Sequence, residues 1–158
     1  MKRLWFESYL KAVEGSVDSN LFRTFLVEDG GKTKDVFNDG ELSCGSHVSA
    51  ILALFDQQDK AHATVSSTVK DLERHNWQKL DPESTLELGD VIVWEDIEFT
   101  EEPGVLHPHI GFYVGNGEAV SNNYKVGTPQ RHPVGSGTRA IKAVYRGQEQ
   151  FAKLPQPS

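Results

Sequence analysis

The sequence predicts an α+β domain in which N-terminal helices pack on an antiparallel β-meander. Three observations carry that class. Apolar residues recur at helical spacing in the first half of the chain, most clearly at Cys44, Val48, Ile51, Leu52 and Phe55. Beyond residue 88 the pattern changes to short β-rich runs punctuated by glycine turns. The chain has 158 residues, 37% hydrophobic and 25% charged, which suits one domain around one core. Helices first and hairpin-linked strands afterwards bury their apolar faces most simply as one layer on the other.

Residues 3 to 13 read as the first helix, with Leu4, Phe6, Tyr9, Leu10 and Val13 near helical spacing, and Gly15-Ser16 ends it. FRTFLVE (22–28) and KTKDVF (32–37) flank the turn Asp29-Gly30-Gly31 and form a hairpin. Ser43 is the N-cap of the clearest helix, which ends between Asp56 and Asp59. A further helix spans Ser67 to Trp77, capped by Ser66 or Ser67, with Val69, Leu72 and either His75 or Asn76 turned inward. In LELGDVIVWE a turn at Leu88-Gly89-Asp90 leads into a strand from Val91 to Trp94. Residues 96 to 108 read as an exposed acidic loop. HIGFYV (109–114) and EAVSNN (118–123) are strands joined by the three-residue turn Gly115-Asn116-Gly117. Residues 124 to 138 read as a loop, and RAIKAVYR (139–146) as the last strand. The single domain is placed at residues 1–150, with residues 151–158 as a disordered tail.

Charge and composition exclude some functions. A net charge of −7 with no basic cluster is opposed to a nucleic-acid surface. No apolar run reaches the roughly 18 residues of a membrane span. The opening MKRLWFESYLKAV is basic, but Glu7 interrupts its apolar part and no small-residue cleavage site comes after it. It reads as an amphipathic helix and not as a signal peptide, so a cytoplasmic location, or export by another route, is expected. A lone cysteine, Cys44, excludes an internal disulfide.

That cysteine opens a helix, where unpaired backbone N–H groups and the helix dipole favour a thiolate. A nucleophilic thiol also needs a base. His109 opens a strand on which it shares a face with Gly111 and Tyr113, while Ile110, Phe112 and Val114 face the core. A three-residue turn sets Asn123 opposite His109 and Ser121 diagonally on the same face. Either side chain suits the task of fixing the histidine tautomer, and strand pairing favours Asn123. Asn122 points the other way, with Ile110.

The stretches SCGSHVSAILALF (43–55), LELGDVIVWE (86–95) and HIGFYVGNGEAVSNN (109–123) together resemble papain-like cysteine peptidases and amidases of the NlpC type, close to the CHAP amidases. The resemblance covers residues 38 to 123. It implies a papain-like fold, Cys44 as nucleophile, His109 as general base, and a third polar residue about twelve positions after the histidine. That count falls on Ser121, flanked by Asn122 and Asn123. It further implies a thiol hydrolase of amide or peptide bonds, with peptidoglycan stem peptides or cross-bridges as substrate. Members usually carry an aspartate before the cysteine, where this chain has Ser43. The alternative is a binding domain that keeps the fold without catalysis.

Neither a cofactor nor a metal is expected. Cys44, His47, His107 and His109 match no standard zinc spacing. His47 stands one helical turn from Cys44 with no orienting group, and His107 belongs at a cleft rim. His62, His75 and His132 read as surface or helix-end residues. The acidic run Glu95, Asp96, Glu98, Glu101 and Glu102 reads as a solvated loop, or else as a flap favouring cationic substrates.

Overall fold

In a computed structural model the protein is described over residues 2–135, 139–148, 151 and 156–157. The helices are α1 (Trp5–Gly15), α2 (Cys44–Leu54) and α3 (Val65–Arg74). The strands are β1 (Lys2–Arg3), β2 (Leu26–Asp29), β3 (Lys32–Asp35), β4 (Gln78–Leu80), β5 (Val91–Glu98), β6 (Leu106–Gly115), β7 (Glu118–Asn123), β8 (Thr128–Pro133), β9 (Ile141–Arg146) and β10 (Gln156–Pro157). Strands β4-β9-β5-β6-β7-β8 make a six-stranded antiparallel sheet in that order, while β2-β3 and β1-β10 are small separate pairs. The expected α+β class therefore holds. No helix among the described residues is long and apolar enough to cross a membrane.

The main core lies between the helices and one face of this sheet. Tyr9 and Val13 of α1, Val48, Ile51 and Leu52 of α2, and Leu72 of α3 meet Ile110, Phe112 and Val120 there. Burying that many large apolar side chains, each stabilising by roughly 1.5–3 kcal/mol, is what holds short helices that would not persist alone. A smaller cluster of Ile92, Trp94 and Ala119 covers the opposite face, with Tyr113, Val134 and Ile141 packed on it.

Several boundaries differ from expectation, each for a local reason. Ser43 occupies the N-cap position of α2 but makes no side-chain cap; its hydroxyl donates to Gly40 O at 3.2 Å. Helix α3 starts earlier than expected, because the Thr64 hydroxyl accepts from Ser67 N at 3.1 Å and caps it. Leu72 is buried as expected, while Asn76 is exposed in the left-handed conformation at φ 58°. The stretch 124–138 contains β8, which pairs with all of β7 despite its two prolines. As the last strand of the sheet it tolerates them, since no further strand among the described residues needs the missing N–H groups, and the Pro129 carbonyl accepts from Asp18 N at 2.9 Å.

The 96–108 loop is shorter than expected, because β5 runs on to Glu98 and β6 begins at Leu106. Phe151, assigned from sequence to the tail, is 6% exposed. Its ring packs on Tyr9 and Phe6, with centroids 5.0 and 5.6 Å away. The tail expectation for 152–155 and 158 lies outside the described residues.

The β6–β7 connection sets which side chains share a face with His109. The turn has two residues, Asn116 and Gly117, both at positive φ (53° and 73°), the conformation that lets a hairpin keep its twist. Gly115 pairs with Glu118, and a bulge leaves Val114 as the extra residue. The shorter turn and the bulge cancel, so Tyr113 pairs with Ala119 and Gly111 with Ser121.

Candidate active site

Cys44 is the first residue of α2, and its sulfur sits over the start of β6. The thiol donates to Pro108 O at 3.7 Å and lies in reach of the Ile110, Gly45 and Cys44 backbone amides. Gly45 lets this corner form: a Cβ there would meet the Thr64 carbonyl carbon at 2.6 Å, so α2 begins directly against the start of α3. Burial pushes the thiol pKa up, opposed by those amides and by the charge of Arg139. The helix start thus does what the sequence predicts, but desolvation outweighs it and the resting group is a thiol.

His109 pairs across the sheet with Trp94, whose ring centroid is 5.3 Å away, and lines the same cleft as Cys44. Burial lowers its pKa to about 3, helped by nearby Arg139, so the imidazole is neutral at pH 7. Its Nε2 lies 2.9 Å from Ser121 Oγ. Gly111 makes room for that serine: a Cβ on it would stand 2.6 Å from Ser121 Cβ and 3.1 Å from the Trp94 ring. The expectation that favoured Asn123 is therefore corrected. Asn123 is exposed, and its Oδ1 accepts from Lys125 N at 2.9 Å, closing the turn into β8. Asn122 is buried on the other face, as expected, donating to Gly40 O at 2.6 Å.

A residue read as surface joins the site. His132, carried by β8, has its Nε2 2.6 Å from Ser121 Oγ and its Nδ1 2.9 Å from Pro133 O. A carbonyl only accepts, so Nδ1 of a neutral His132 carries the proton and Nε2 accepts from the serine. Ser121 Oγ then accepts from His109 Nε2–H, which leaves His109 Nδ1 as the ring's free lone pair. The sequence hid this because His132 becomes adjacent only once β8 is recognised as a strand.

Cys44, His109, Ser121 and His132 line one cleft of about 940 Å³. Phe99 stacks between His107 (centroids 3.9 Å apart) and Tyr124 (4.2 Å), and all three form part of its wall. His107, expected at the rim, is instead buried in the wall at 8% exposure, with its Nε2 2.8 Å from Glu102. Glu95, Asp96, Glu98, Glu101 and Glu102 are not among the residues that line the cleft. Arg139, which no sequence motif singles out, does line it.

The other histidines are engaged elsewhere. His47 is fully buried and bonded through Nε2 to Ser16 Oγ at 2.9 Å. Asp59, Asp71 and His75 converge closely enough to hold a metal ion. Arg74 lies among them, 3.2 Å from Asp71 Oδ1 and 3.7 Å from Asp59 Oδ2, and supplies the positive charge the cluster needs. His62 adds a 2.6 Å bond to Asp71.

No protein-family model matches the chain, and no curated protein sequence is significantly similar to it.

Proposed function

We propose that the protein is a thiol hydrolase of amide or peptide bonds on a papain-like, NlpC-type fold. The observation that carries this reading is a cysteine at a helix start sharing a cleft with a neutral histidine whose Nε2 is held by a serine–histidine pair. As Cys44 sulfur attacks the carbonyl carbon, His109 Nδ1 takes the thiol proton. Because both groups rest neutral, the proton moves during attack and not beforehand. The oxyanion accepts from the Cys44 backbone N–H at the start of α2. Collapse breaks the C–N bond, and the His109 proton leaves with the amine. Water, activated by the same nitrogen, then hydrolyses the thioester. The resemblance of the three motifs points to peptidoglycan stem peptides or cross-bridges as the substrate class.

The test is release of amine groups from purified peptidoglycan fragments and from peptide amides. Cys44→Ala should abolish it, and His109→Ala should lower it about 10²–10⁴-fold. Turnover by the wild type no faster than by Cys44→Ala would overturn the reading. The raised thiol pKa and the bond to Pro108 O favour a second reading, a binding domain that retains the fold. It predicts saturable binding of the same fragments with no turnover, and a thiol that alkylates at the same rate in wild type and His109→Ala.

A further inference from the structure

The chain carries a net charge of −7, yet the cleft beside Cys44 is lined by Lys125, Arg131 and Arg139 against one acid, Glu41. Two of these cations are engaged on the protein. Arg131 bonds Glu118 at 2.9 Å, and Lys125 lies over the Tyr124 ring, 5.6 Å from its centroid. Arg139 is different. Its Nη1 donates to two backbone carbonyls, His107 O at 2.9 Å and Glu95 O at 3.5 Å. Carbonyls fix the plane of a guanidinium but carry no countercharge. Asp96, whose charge reaches it, is turned towards Lys142 instead (3.9 Å). Among the described residues this partly buried guanidinium is held through Nη1 alone, with no carboxylate bonded to it and no partner on Nε or Nη2. That remaining edge has the fork geometry that matches a carboxylate. Arg139 and Cys44 also flank one piece of backbone, since their partners are the adjacent carbonyls of residues 107 and 108.

We propose that Arg139 anchors a carboxylate of the substrate beside the Cys44 thiol, so that the preferred substrate is an amide whose residue at the scissile bond bears a free carboxylate. This rests on Cys44 being the reacting group, and it adds the chemical class that the cleft accepts. A neutral amide of the same shape leaves the guanidinium unpaired and binds less well.

Iodoacetate and iodoacetamide separate this proposal from the hydrolase reading, because they differ only in the carboxylate and need no turnover. In both reactions an S–C bond forms and the C–I bond breaks. Iodide leaves with the electron pair, and the thiol proton goes to His109 or to buffer. The ratio of the two rate constants at Cys44, divided by that of free N-acetylcysteine, cancels changes in thiol reactivity. It should be about tenfold above unity in the wild type, and near unity in Arg139→Gln. Arg139→Lys, which keeps charge without the fork, should fall between them. A ratio of unity in the wild type, or one that survives in Arg139→Gln, overturns the proposal. A raised ratio with no amide turnover keeps the subsite and sinks the hydrolase. Turnover of neutral peptides with a ratio of unity does the reverse. Should neither reagent label Cys44, succinate titrated against the arginine Nε–H NMR signals decides. A saturable shift that disappears in Arg139→Lys supports the anchor, and its absence in the wild type refutes it.

Discussion

At the scale of single residues, one hydroxyl decides how the candidate base is held. Ser121 sits between two imidazoles, 2.9 Å from His109 and 2.6 Å from His132, and passes the tautomer of one to the other. Asparagine is the stronger orienting residue in isolation, and simple strand pairing puts Asn123 opposite His109. The structure gives Asn123 to a turn instead, because an Asn at a strand end bonds the amides two and three residues on at little conformational cost. Ser121→Ala should therefore lower kcat/KM by about ten- to a hundredfold while leaving the fold intact. Asn123→Ala should cost about 1 kcal/mol of stability and little activity. Denaturant melts with steady-state kinetics of both variants check this. Activity lost more heavily in Asn123→Ala would return the orienting role to it.

At the scale of elements, the Leu88-Gly89-Asp90 turn shows why a pattern legible as a turn also does structural work. Gly89 has φ 85°, and a Cβ there would stand 2.7 Å from the Phe6 ring, so α1 packs on bare backbone. Asp90, 1% exposed, receives both Arg146 Nε (2.8 Å) and Nη2 (2.7 Å), tying the start of β5 to the end of β9. Asp90→Asn leaves the arginine facing an amide NH₂ and should destabilise by about 3 kcal/mol, read as a lower urea midpoint at unchanged m-value. A loss below about 1 kcal/mol would mean that solvent replaces the pair. Strands β5, β6, β7 and β9 and helices α1 and α2 were legible because their apolar periodicities are strong. Strand β8 was not: TPQRHP has neither alternation nor β-branched residues beyond Thr128, and only pairing with β7 makes it a strand. Helix α3 was misplaced at its start because Thr64, Ser66 and Ser67 compete as caps, and packing of Val65 chooses among them.

For the molecule as a whole, the shared cleft of Cys44 and His109 was legible in the sequence, with Ser121 only as the second choice after Asn123, while Arg139 and His132 were not. His132 lies in a stretch without periodicity and Arg139 at the very start of the last expected strand, and only long-range strand order brings the two to one cleft. The same order explains a histidine that looked like a rival base. His47 points from α2 into the core, between Phe22 and Phe112, with ring centroids 5.1 and 5.6 Å away. Ser16 Oγ donates to Val13 O at 2.7 Å and accepts from His47 Nε2–H, while Nδ1 is buried with no hydrogen-bond partner. Burial lowers its pKa to about 3. Unfolded, the same ring titrates near its ordinary value of about 6.5. The unfolded chain therefore binds a proton below that value which the folded chain refuses, and stability falls as pH drops from about 6.5 towards 3. At pH 5 the loss from this group is about 2 kcal/mol. Urea unfolding of wild type and His47→Gln at pH 7 and pH 5 measures it. Glutamine keeps a donor for Ser16 but does not titrate, so the variant should be less stable at pH 7 yet lose about 2 kcal/mol less on acidification. Equal losses in the two proteins would mean that the folded core admits the proton, and with it the charge that the packing of α2 against β6 is arranged to exclude.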